Sequence, residues 1–332
     1  MAEHTGIMTY CEITEGKLPS ISSEVLGCGR RLADELGQEL CTVLVGSDVG
    51  SLAQEAIALG ADTVYVVDDP LLQEYQTDAY AAVMEKVVRQ VLPRFLILGQ
   101  TSVGRDLTPL LAFRLDTTAT LDCVDLAIDP DTQLLLRTKP VYGGNAIASF
   151  TCDSCPQTAT VRDKVMSALE PDASRQGAVI TIAAGLDPSA IRAKLLKRVK
   201  DDEEGVRLED ASIIVSGGRG IGSAEGFNQL QELAAMLQGA VGASRPPCDN
   251  GWFPPSRQVG ITGKIVSPDL YIAIGLSGSI QHLSGCVQSK NIIAINKDAE
   301  ANIFNYADFG VVGDWKKVLS AFTDKLKELL PE

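Results

Sequence analysis

The sequence predicts an α/β fold: an N-terminal parallel sheet with helices plus a small antiparallel patch, then a C-terminal doubly wound domain. Three observations predict it. Strand and helix patterns alternate regularly up to about residue 115, short apolar runs with turn signals occupy residues 120–162, and the alternation resumes after a charged stretch at 200–205. With 332 residues, the chain is long enough for two domains that each bury a core.

The first half contains strands and helices in alternation. After an opening strand and loop within residues 1–17, apolar residues recur at helical spacing from Ile21 to Leu36, and Gly37 marks the end of that helix. The alternation favours a parallel sheet covered by helices. The remaining predicted elements here are strands at 40–45, 63–67 and 95–99 and helices at 51–59, 77–92 and 103–115.

The pattern changes at about residue 120. Asp129-Pro130-Asp131 and Gly143-Gly144-Asn145 are hairpin turn signals between short apolar runs, and they indicate an antiparallel patch that completes this domain. No strand of this half is followed by a Gly-rich phosphate fingerprint or a Walker lysine, so we expect it to serve as a scaffold and to contact a partner. The predicted strands of the patch are 122–128, 134–138, 146–151 and 158–162.

A charged stretch, Lys200 to Gly205, follows a predicted helix at 189–199 and is expected to be a solvated connector. The sequence therefore predicts two domains, 1–205 and 206–332. The second has predicted strands at 211–215, 240–243, 270–275, 292–296 and 309–312, helices at 225–237, 280–287 and 314–330, a glycine loop at 216–222 and an irregular loop at 246–255.

Composition and charge exclude several classes of protein. Hydrophobic residues make up 45% of the chain and charged residues 22%, as in ordinary globular proteins. The net charge of −14 argues against binding to nucleic acid or to an anionic membrane surface. The N-terminus lacks an apolar signal segment, and no run approaches the about 18 apolar residues of a spanning helix. We therefore expect a cytoplasmic protein without a membrane span.

Eight cysteines are present, and most are expected to be buried and reduced because no secretory signal accompanies them. Only Cys152 and Cys155 have motif spacing, the C-x-x-C of redox thiols and of half a zinc site. No second pair stands nearby to complete four ligands, so the sequence predicts no metal site.

Residues 270–296 form a compact predicted strand–turn–helix–strand unit. Its two apolar runs, Leu270–Gly275 and Ile292–Asn296, are typical of strands buried on both faces. Between them, Leu276 to Ser279 precede a predicted short helix, whose unbonded N–H groups and dipole would favour a phosphate. His282 lies in the first helical turn. A nucleotide site and an ordinary turn with a surface histidine both remain open at this point.

The exact residue pattern of this stretch identifies a family more specifically than its predicted secondary structure does. The pattern L-Y-I-A-x-G-x-S-G-S-I-Q-H-x-x-G, closing on I-I-A-I-N, resembles the signature of the electron transfer flavoprotein alpha subunit. SGGRG at 216–220, VGASRPPCDNGW at 241–252 and GITGK at 260–264 agree with it, and the resemblance covers the whole chain. It implies a C-terminal doubly wound FAD-binding domain with one noncovalent FAD and a beta subunit as partner. The complex would relay electrons between a flavin or NADH-linked donor and a flavoprotein dehydrogenase, such as an acyl-CoA dehydrogenase.

The resemblance also implies roles for individual residues. His282 would donate to the N1–C2=O edge of the flavin, Arg245 would hold a fixed positive charge over the ring, and Thr262 would bond near N5. The alternative role for Arg245 is a surface ion pair. Asn296 and Asp314 follow late strands and are candidates to contact the adenosine ribose of FAD. The expected cofactor-binding residues are Arg219, Ser244, Arg245, Val259, Gly260, Ile261, Thr262, Gly263, Ser277, Gly278, Ser279, Ile280, Gln281, His282, Asn296, Lys297 and Asp314. Ile261 departs from the family, whose common members carry glutamine there.

The sequence leaves two alternative functions. The same fold class serves pyridine-nucleotide-dependent dehydrogenases, but G-x-G-x-x-G and the ribose acid are missing. A non-redox nucleotide-binding assembly subunit is the other alternative. No convincing triad is present, so no catalytic residue is assigned. Segments 104–107, 143–146 and 156–162 look like the anaerobic branch of the family. Members of that branch often serve acyl-CoA dehydrogenases, and some bifurcate electrons from NADH through a second FAD in the beta subunit. The sequence of this chain leaves open whether its beta subunit carries AMP or a second FAD.

Overall fold

The structure is a computed structural model, and it describes residues 4–144, 146–193, 195 and 206–329. The chain divides into two compact units, residues 1–141 with 146–198, and residues 142–145 with 199–332. Each unit has its own parallel sheet and its own buried clusters. The predicted domain boundary at 205 falls outside the described residues and stays a prediction. None of the described helices has the length and apolar character needed to cross a membrane.

The first unit follows the predicted alternation. Its described strands are β1 (Ile7–Cys11), β2 (Leu40–Gly46), β3 (Thr63–Asp68), β4 (Phe95–Gly99), β5 (Ala119–Cys123), β6 (Asp125–Ile128), β7 (Leu135–Val141), β8 (Ala146–Phe150), β9 (Gln157–Val161) and β10 (Ala178–Thr181). Its described α-helices are α1 (Ser20–Leu36), α2 (Ala53–Ala58), α3 (Thr77–Val91) and α4 (Ser102–Arg114). Seven strands form a parallel sheet of order β10-β3-β2-β1-β4-β9-β5, and β6-β7-β8 form an antiparallel sheet. The predicted fold class of this half is confirmed.

The parallel sheet is covered on both faces, which explains its apolar strands. In β1, Ile7 and Cys11 belong to one buried cluster, whereas Met8 and Tyr10 belong to another. Successive side chains of a strand alternate between faces, so the two clusters lie on opposite sides of the sheet. Residues of α1 and α2 pack in the first cluster and residues of α3 and α4 in the second.

Three predictions around residues 119–181 were wrong in part. The single strand expected at 122–128 is two strands, of which β5 joins the parallel sheet and β6 the antiparallel one. The strand expected at 158–162 in the antiparallel patch is β9, which is parallel and lies between β4 and β5. Strand β10 at the sheet edge was missed, because all four of its residues are exposed and no buried face marks it.

The helix expected at 189–199 is not formed in its described part, residues 189–193 and 195. Residues 188–190 make a single 3-10 turn, and residues 191–193 are not helical. Ile191 has an extended backbone, with φ −85° and ψ 100°, which ends the turn. Most of the remaining predicted helix lies outside the described residues.

The second unit is a smaller doubly wound sheet. Its described strands are β11 (Ile213–Gly217), β12 (Ala240–Ala243), β13 (Leu270–Ile274), β14 (Ile292–Asn296) and β15 (Phe309–Val312). Its described α-helices are α5 (Ala224–Met236), α6 (Arg245–Asp249), α7 (Ile280–Leu283) and α8 (Trp315–Leu329). All strands are parallel, in the order β12-β11-β13-β14-β15.

Two predictions for this unit were wrong in part. The loop expected at 246–255 begins with α6, where Pro246 and Pro247 occupy the first turn, in which a missing N–H costs nothing. The helix expected at 280–287 has only one turn, α7, which ends at Leu283 and continues as hydrogen-bonded turns to Val287. The predicted strand–turn–helix–strand order of residues 270–296 is otherwise confirmed.

Candidate functional site

The order of strands in the second unit reverses between β11 and β13. From β11 the chain goes outward to β12, then returns to β13 on the other side. In open parallel sheets, ligands bind outside the carboxyl ends of the strands at such a reversal. The loops that follow β11 and β13 therefore mark the expected position of a site.

The glycines after β11 serve the packing of these two loops. Gly218 N donates to Ile274 O at 2.9 Å, and Gly220 N donates to Gly275 O at 3.0 Å. A Cβ on Gly218 would lie 2.2 Å from Gly275 O, so no larger residue fits. The glycine loop therefore brings the two strand ends together, a role that its spacing alone did not indicate.

A cavity of about 630 Å³ opens at this point, within the usual size range of ligand pockets. Predicted site residues that line it are Arg219, Ser244, Arg245, Val259, Gly260, Ile261, Thr262, Ser277, Gly278, Ser279, Gln281, His282, Asn296 and Lys297. Leu276, the first residue of the stretch expected to bind a phosphate, and Gly275 of the family pattern also line it. The lining residues that were not predicted are Gly220, Pro246, Gln258, Asp298 and Ala301. The GxSGS pattern contained a signal for Gly275 and Leu276, whereas Gln258 and Asp298 had none beyond their nearness to predicted residues.

Three carbonyl groups of the loop after β13 accept hydrogen bonds from residues later in the chain. Asn296 Nδ2 donates to Leu276 O at 2.7 Å, Ile303 N to Ser277 O at 3.2 Å, and Asn302 Nδ2 to Gly278 O at 2.7 Å. Among the described residues, the backbone N–H groups of 277–281 have no hydrogen-bond acceptor. Unpaired amides of this kind can bind an anionic group.

Gly278 is required by this loop for two reasons. Its φ of +77° lies in the left-handed region, and a Cβ there would come within 2.3 Å of Ile303 N. Any side chain at this position would therefore push the loop away from residues 302–303 and disturb its amides.

His282 is buried beneath the cavity, with only 4% of its surface exposed. Its Nδ1 lies 3.0 Å from Val259 O and its Nε2 lies 2.9 Å from the Tyr271 hydroxyl. A carbonyl can only accept, so Nδ1–H donates to Val259 and Nε2 accepts from Tyr271. Burial lowers the pKa of His282 to about 4, so the ring is neutral at pH 7. The alternative of a surface histidine was wrong, and donation to a flavin stays a prediction.

The segment 258–264 is held between β12 and α7 by backbone bonds. Val259 N donates to Ala243 O at 2.8 Å and Ile261 N to Gln281 O at 2.8 Å. The Ile261 side chain is 53% exposed and gives no hydrogen bond. Instead, Gln258 Nε2 donates to Thr262 Oγ1 at 2.9 Å. An amide side chain is therefore present beside Thr262, three residues before the position at which the family carries glutamine.

Charges of both signs surround the cavity, and cations predominate. Arg219, Arg245 and Lys297 line it together with one carboxylate, Asp298. Arg245 begins α6 and pairs through Nε with Asp249 Oδ2 at 3.1 Å, with 66% of its side chain exposed. It therefore has both the surface ion pair of the alternative interpretation and a place in the lining. In a chain of net charge −14, such a cluster suits an anionic ligand.

Three predicted residues lie outside the lining, and their roles stay predictions. Gly263 closes the turn of its loop, with its N–H donating to Gly260 O at 2.9 Å. Ile280 is an exposed residue at the start of α7. Asp314 precedes α8, and its Oδ1 accepts from Lys316 N at 3.0 Å, so it caps that helix.

The fold and the cavity together define an α/β protein with an anion-compatible site at the reversal of a doubly wound sheet. Residues 7–187 match the Electron transfer flavoprotein domain, and residues 207–287 match the Electron transfer flavoprotein FAD-binding domain. The chain belongs to the electron transfer flavoprotein alpha subunit family.

Curated relatives agree over the full length. Two proteins named electron transfer flavoprotein subunit alpha are each 46% identical to this chain. The one from Thermoanaerobacterium thermosaccharolyticum aligns over 99% of this chain and 100% of its own, and the one from Megasphaera elsdenii over 99% and 98%. A protein of Anaerotignum propionicum named acryloyl-CoA reductase electron transfer subunit beta is 39% identical, over 97% of this chain and 95% of its own.

Membership in the family has direct consequences for function. The chain binds FAD and takes part in electron transfer with a partner dehydrogenase, and the family implies a beta subunit as its partner. The residues present fit such a cofactor, because unpaired amides and three cations meet in one cavity. The family assignment decides against the pyridine-nucleotide dehydrogenase and the non-redox assembly subunit.

Proposed function

We propose that the cavity at the ends of β11 and β13 holds one noncovalent FAD in residues 206–332, while residues 1–205 contact the partner. The observation that carries this proposal is that residues 277–279 and 281, whose backbone N–H groups are unpaired among the described residues, line that cavity together with Arg219 and Lys297. Amides and cations would hold the pyrophosphate, as at other phosphate sites. Asn296 and Asp298 would contact the ribose, since both line the same cavity.

Arg245 and Thr262 would tune the ring end of the site. FAD supplies the electron-transfer chemistry when bound. The guanidinium of Arg245 keeps its charge at any working pH and so favours negative charge that develops beside it. Thr262 Oγ1 accepts from Gln258, which leaves its own O–H free to donate into the cavity. Neutral His282 would bond the ring only if it exchanged one of its two present partners.

We also propose that the beta subunit completes the flavin site and carries AMP or a second FAD, and that the partner dehydrogenase acts on an acyl-CoA. The relative from Anaerotignum propionicum, whose name links it to acryloyl-CoA reductase, supports this class of partner. A cytoplasmic location stays a prediction.

Assembly provides the test. The chain co-expressed with its beta subunit should form a stable one-to-one heterodimer with FAD, while the chain alone should lose FAD on gel filtration. Arg245 and Ile261 line the cavity and are both largely exposed, so a second subunit that covers them would hinder the loss of FAD. A monomer that retains a full complement of FAD would overturn it.

Bifurcation of electrons from NADH is the second candidate, and it rests on the likeness of three segments to the anaerobic branch. In that scheme the FAD held by this chain is the high-potential carrier, which the fixed charge of Arg245 suits. Two FAD per heterodimer with NADH-driven reduction would support it. One FAD and one AMP, without oxidation of NADH, would assign the protein to the simple carriers.

A further inference from the structure

The C-x-x-C pair of the first unit lies in the connection between β8 and β9. Six of the cysteines are buried, whereas Cys152 and Cys155 are both partly exposed. The described residues contain no group of three or more His, Cys, Asp or Glu side chains that could hold a metal ion. The spacing therefore favours thiol chemistry over a zinc site.

Hydroxyl groups support the Cys152 sulfur in either protonation state. Ser154 Oγ lies 3.0 Å from Cys152 Sγ and 2.8 Å from Thr117 Oγ1, which lies 2.9 Å from Pro156 O. When Cys152 is a thiol, it can donate to Ser154 Oγ, Ser154 can donate to Thr117 Oγ1, and Thr117 donates to Pro156 O. With a thiolate, the two hydroxyls can rotate so that Ser154 donates to the sulfur. Each hydroxyl keeps a hydrogen-bond partner in either arrangement.

A buried cation lies on the strand beside this segment. Arg137 of β7 is 1% exposed. In the antiparallel register it lies opposite Phe150 of β8, two residues before Cys152. Its Nη1 donates to Thr158 O at 3.3 Å, and its Nε has no partner among the described residues. A guanidinium buried in this way favours an anion nearby.

The two thiols consequently differ in acidity. Hydrogen bonds from Ser154 and Thr118, with a smaller effect of the Arg137 charge, lower the pKa of Cys152 to about 7. Burial raises the pKa of Cys155, although Arg94 acts in the opposite direction and Asp153 in the same one. An acidic attacking thiol followed by a less acidic one is the arrangement of C-x-x-C exchange sites.

We propose that Cys152 and Cys155 form a redox-active dithiol that exchanges with small-molecule disulfides such as glutathione disulfide. The Cys152 thiolate attacks one sulfur of the disulfide, the S–S bond breaks, and one thiolate leaves and takes up a proton. Cys155, after losing its proton, then attacks Cys152 Sγ and expels the second thiolate, which takes up a proton. The protein dithiol loses two electrons and two protons, and the external disulfide becomes two thiols.

The test uses the full-length heterodimer treated with glutathione disulfide and analysed by peptide mass spectrometry. The parent should form an intramolecular Cys152–Cys155 disulfide that dithiothreitol reverses. Cys155→Ser should instead hold one glutathione on Cys152, and Cys152→Ser should form neither product. Cys248→Ser, which removes a buried thiol elsewhere, is the matched control and should behave as the parent.

The pH dependence of alkylation tests whether Ser154 activates the Cys152 thiol or whether Cys152 reacts only because it is exposed. Alkylation of Cys152 by iodoacetamide should reach half its maximal rate at about pH 7 in the parent and at a higher pH in Ser154→Ala. The proposal would be overturned by a parent that holds only a glutathione adduct without the internal disulfide. A Cys152 that reacts only above pH 8 would overturn it as well.

Discussion

At the scale of single residues, Arg245 shows how an exposed ion pair can still serve a site. Its guanidinium lines the cavity while Nε remains bonded to Asp249. Exposed pairs of this kind contribute little to stability, so the charge is available to a ligand at small cost to the fold. The electrostatic effect on a bound flavin should therefore be separable from effects on folding.

Replacing Arg245 with alanine should lower the first reduction potential of bound FAD by tens of millivolts. Removing a fixed positive charge disfavours the negative charge of the reduced ring, and about 59 mV corresponds to about 1.4 kcal/mol for one electron. Spectroelectrochemical titration of the heterodimer measures it. Arg245→Lys keeps a charge and should retain most of the parent potential. Equal potentials in the alanine variant and the parent would show that Arg245 does not act on the ring.

His282 should make the second unit sensitive to acid. Its folded pKa of about 4 is below the unfolded value of about 6.5. Between these values the unfolded state binds more protons, so the free energy of unfolding falls as pH falls from about 6.5 to about 4, by at most about 3 kcal/mol. Both tryptophans, Trp252 and Trp315, lie in this unit, so their fluorescence in urea reports on it. The difference between the parent and His282→Asn should shrink over that window; a constant difference would contradict a buried neutral histidine.

At the scale of elements, the site depends on a loop rather than on a long helix. Helix α7 has only four residues, and the amides of 277–281 are set by the turn of Gly278 and by the side chains of Asn296 and Asn302. Side chains from the next strand and turn thus fix the backbone that would meet the cofactor's phosphates.

Gly278→Ala should reduce the FAD content of the purified heterodimer strongly. The added Cβ would overlap Ile303 N at 2.3 Å, so the loop must shift. Gly251→Ala is the matched control: its φ is also positive, +70°, but a Cβ there meets nothing within 4 Å. The control should lose roughly 1–2 kcal/mol of stability from backbone strain and keep its FAD. Flavin absorbance per protein measures both, and equal FAD in the two variants would exclude this role for the loop.

At the scale of the whole molecule, the two units have separate buried cores. The clusters of the first unit contain no residue beyond Ile191, and those of the second begin at Leu208. The described strands of each parallel sheet pair only with strands of the same unit. Cores of this kind allow a domain to fold by itself.

Fragments 1–205 and 206–332, expressed apart, should therefore each unfold cooperatively. Urea unfolding followed by circular dichroism measures this for both, and tryptophan fluorescence adds a second probe for the C-terminal fragment. Coincident transitions by the two probes are expected for that fragment. If either fragment were unfolded in the absence of the other, the predicted division at residue 205 would be wrong.

The sequence by itself determined most elements and most of the cavity lining. Strong periodicity and boundary residues such as Gly37 predicted α1 and the apolar strands, because a helix or strand buries a face that the chain repeats locally. The family pattern predicted the residues after β13, because the loop leaves little choice of residue at positions such as Gly278. These features depend on neighbours close in the chain.

Tertiary structure alone decided the rest. Strand β9 carries Gln157, Thr158 and Thr160, yet it is buried between β4 and β5, because partners far along the chain satisfy its polar groups. Gln157 Oε1, for example, accepts from Leu135 N at 2.7 Å. The buried state of His282 depends likewise on Tyr271 and Val259. Local patterns describe which residues favour burial, but long-range hydrogen bonds decide which polar side chains can be buried at low cost.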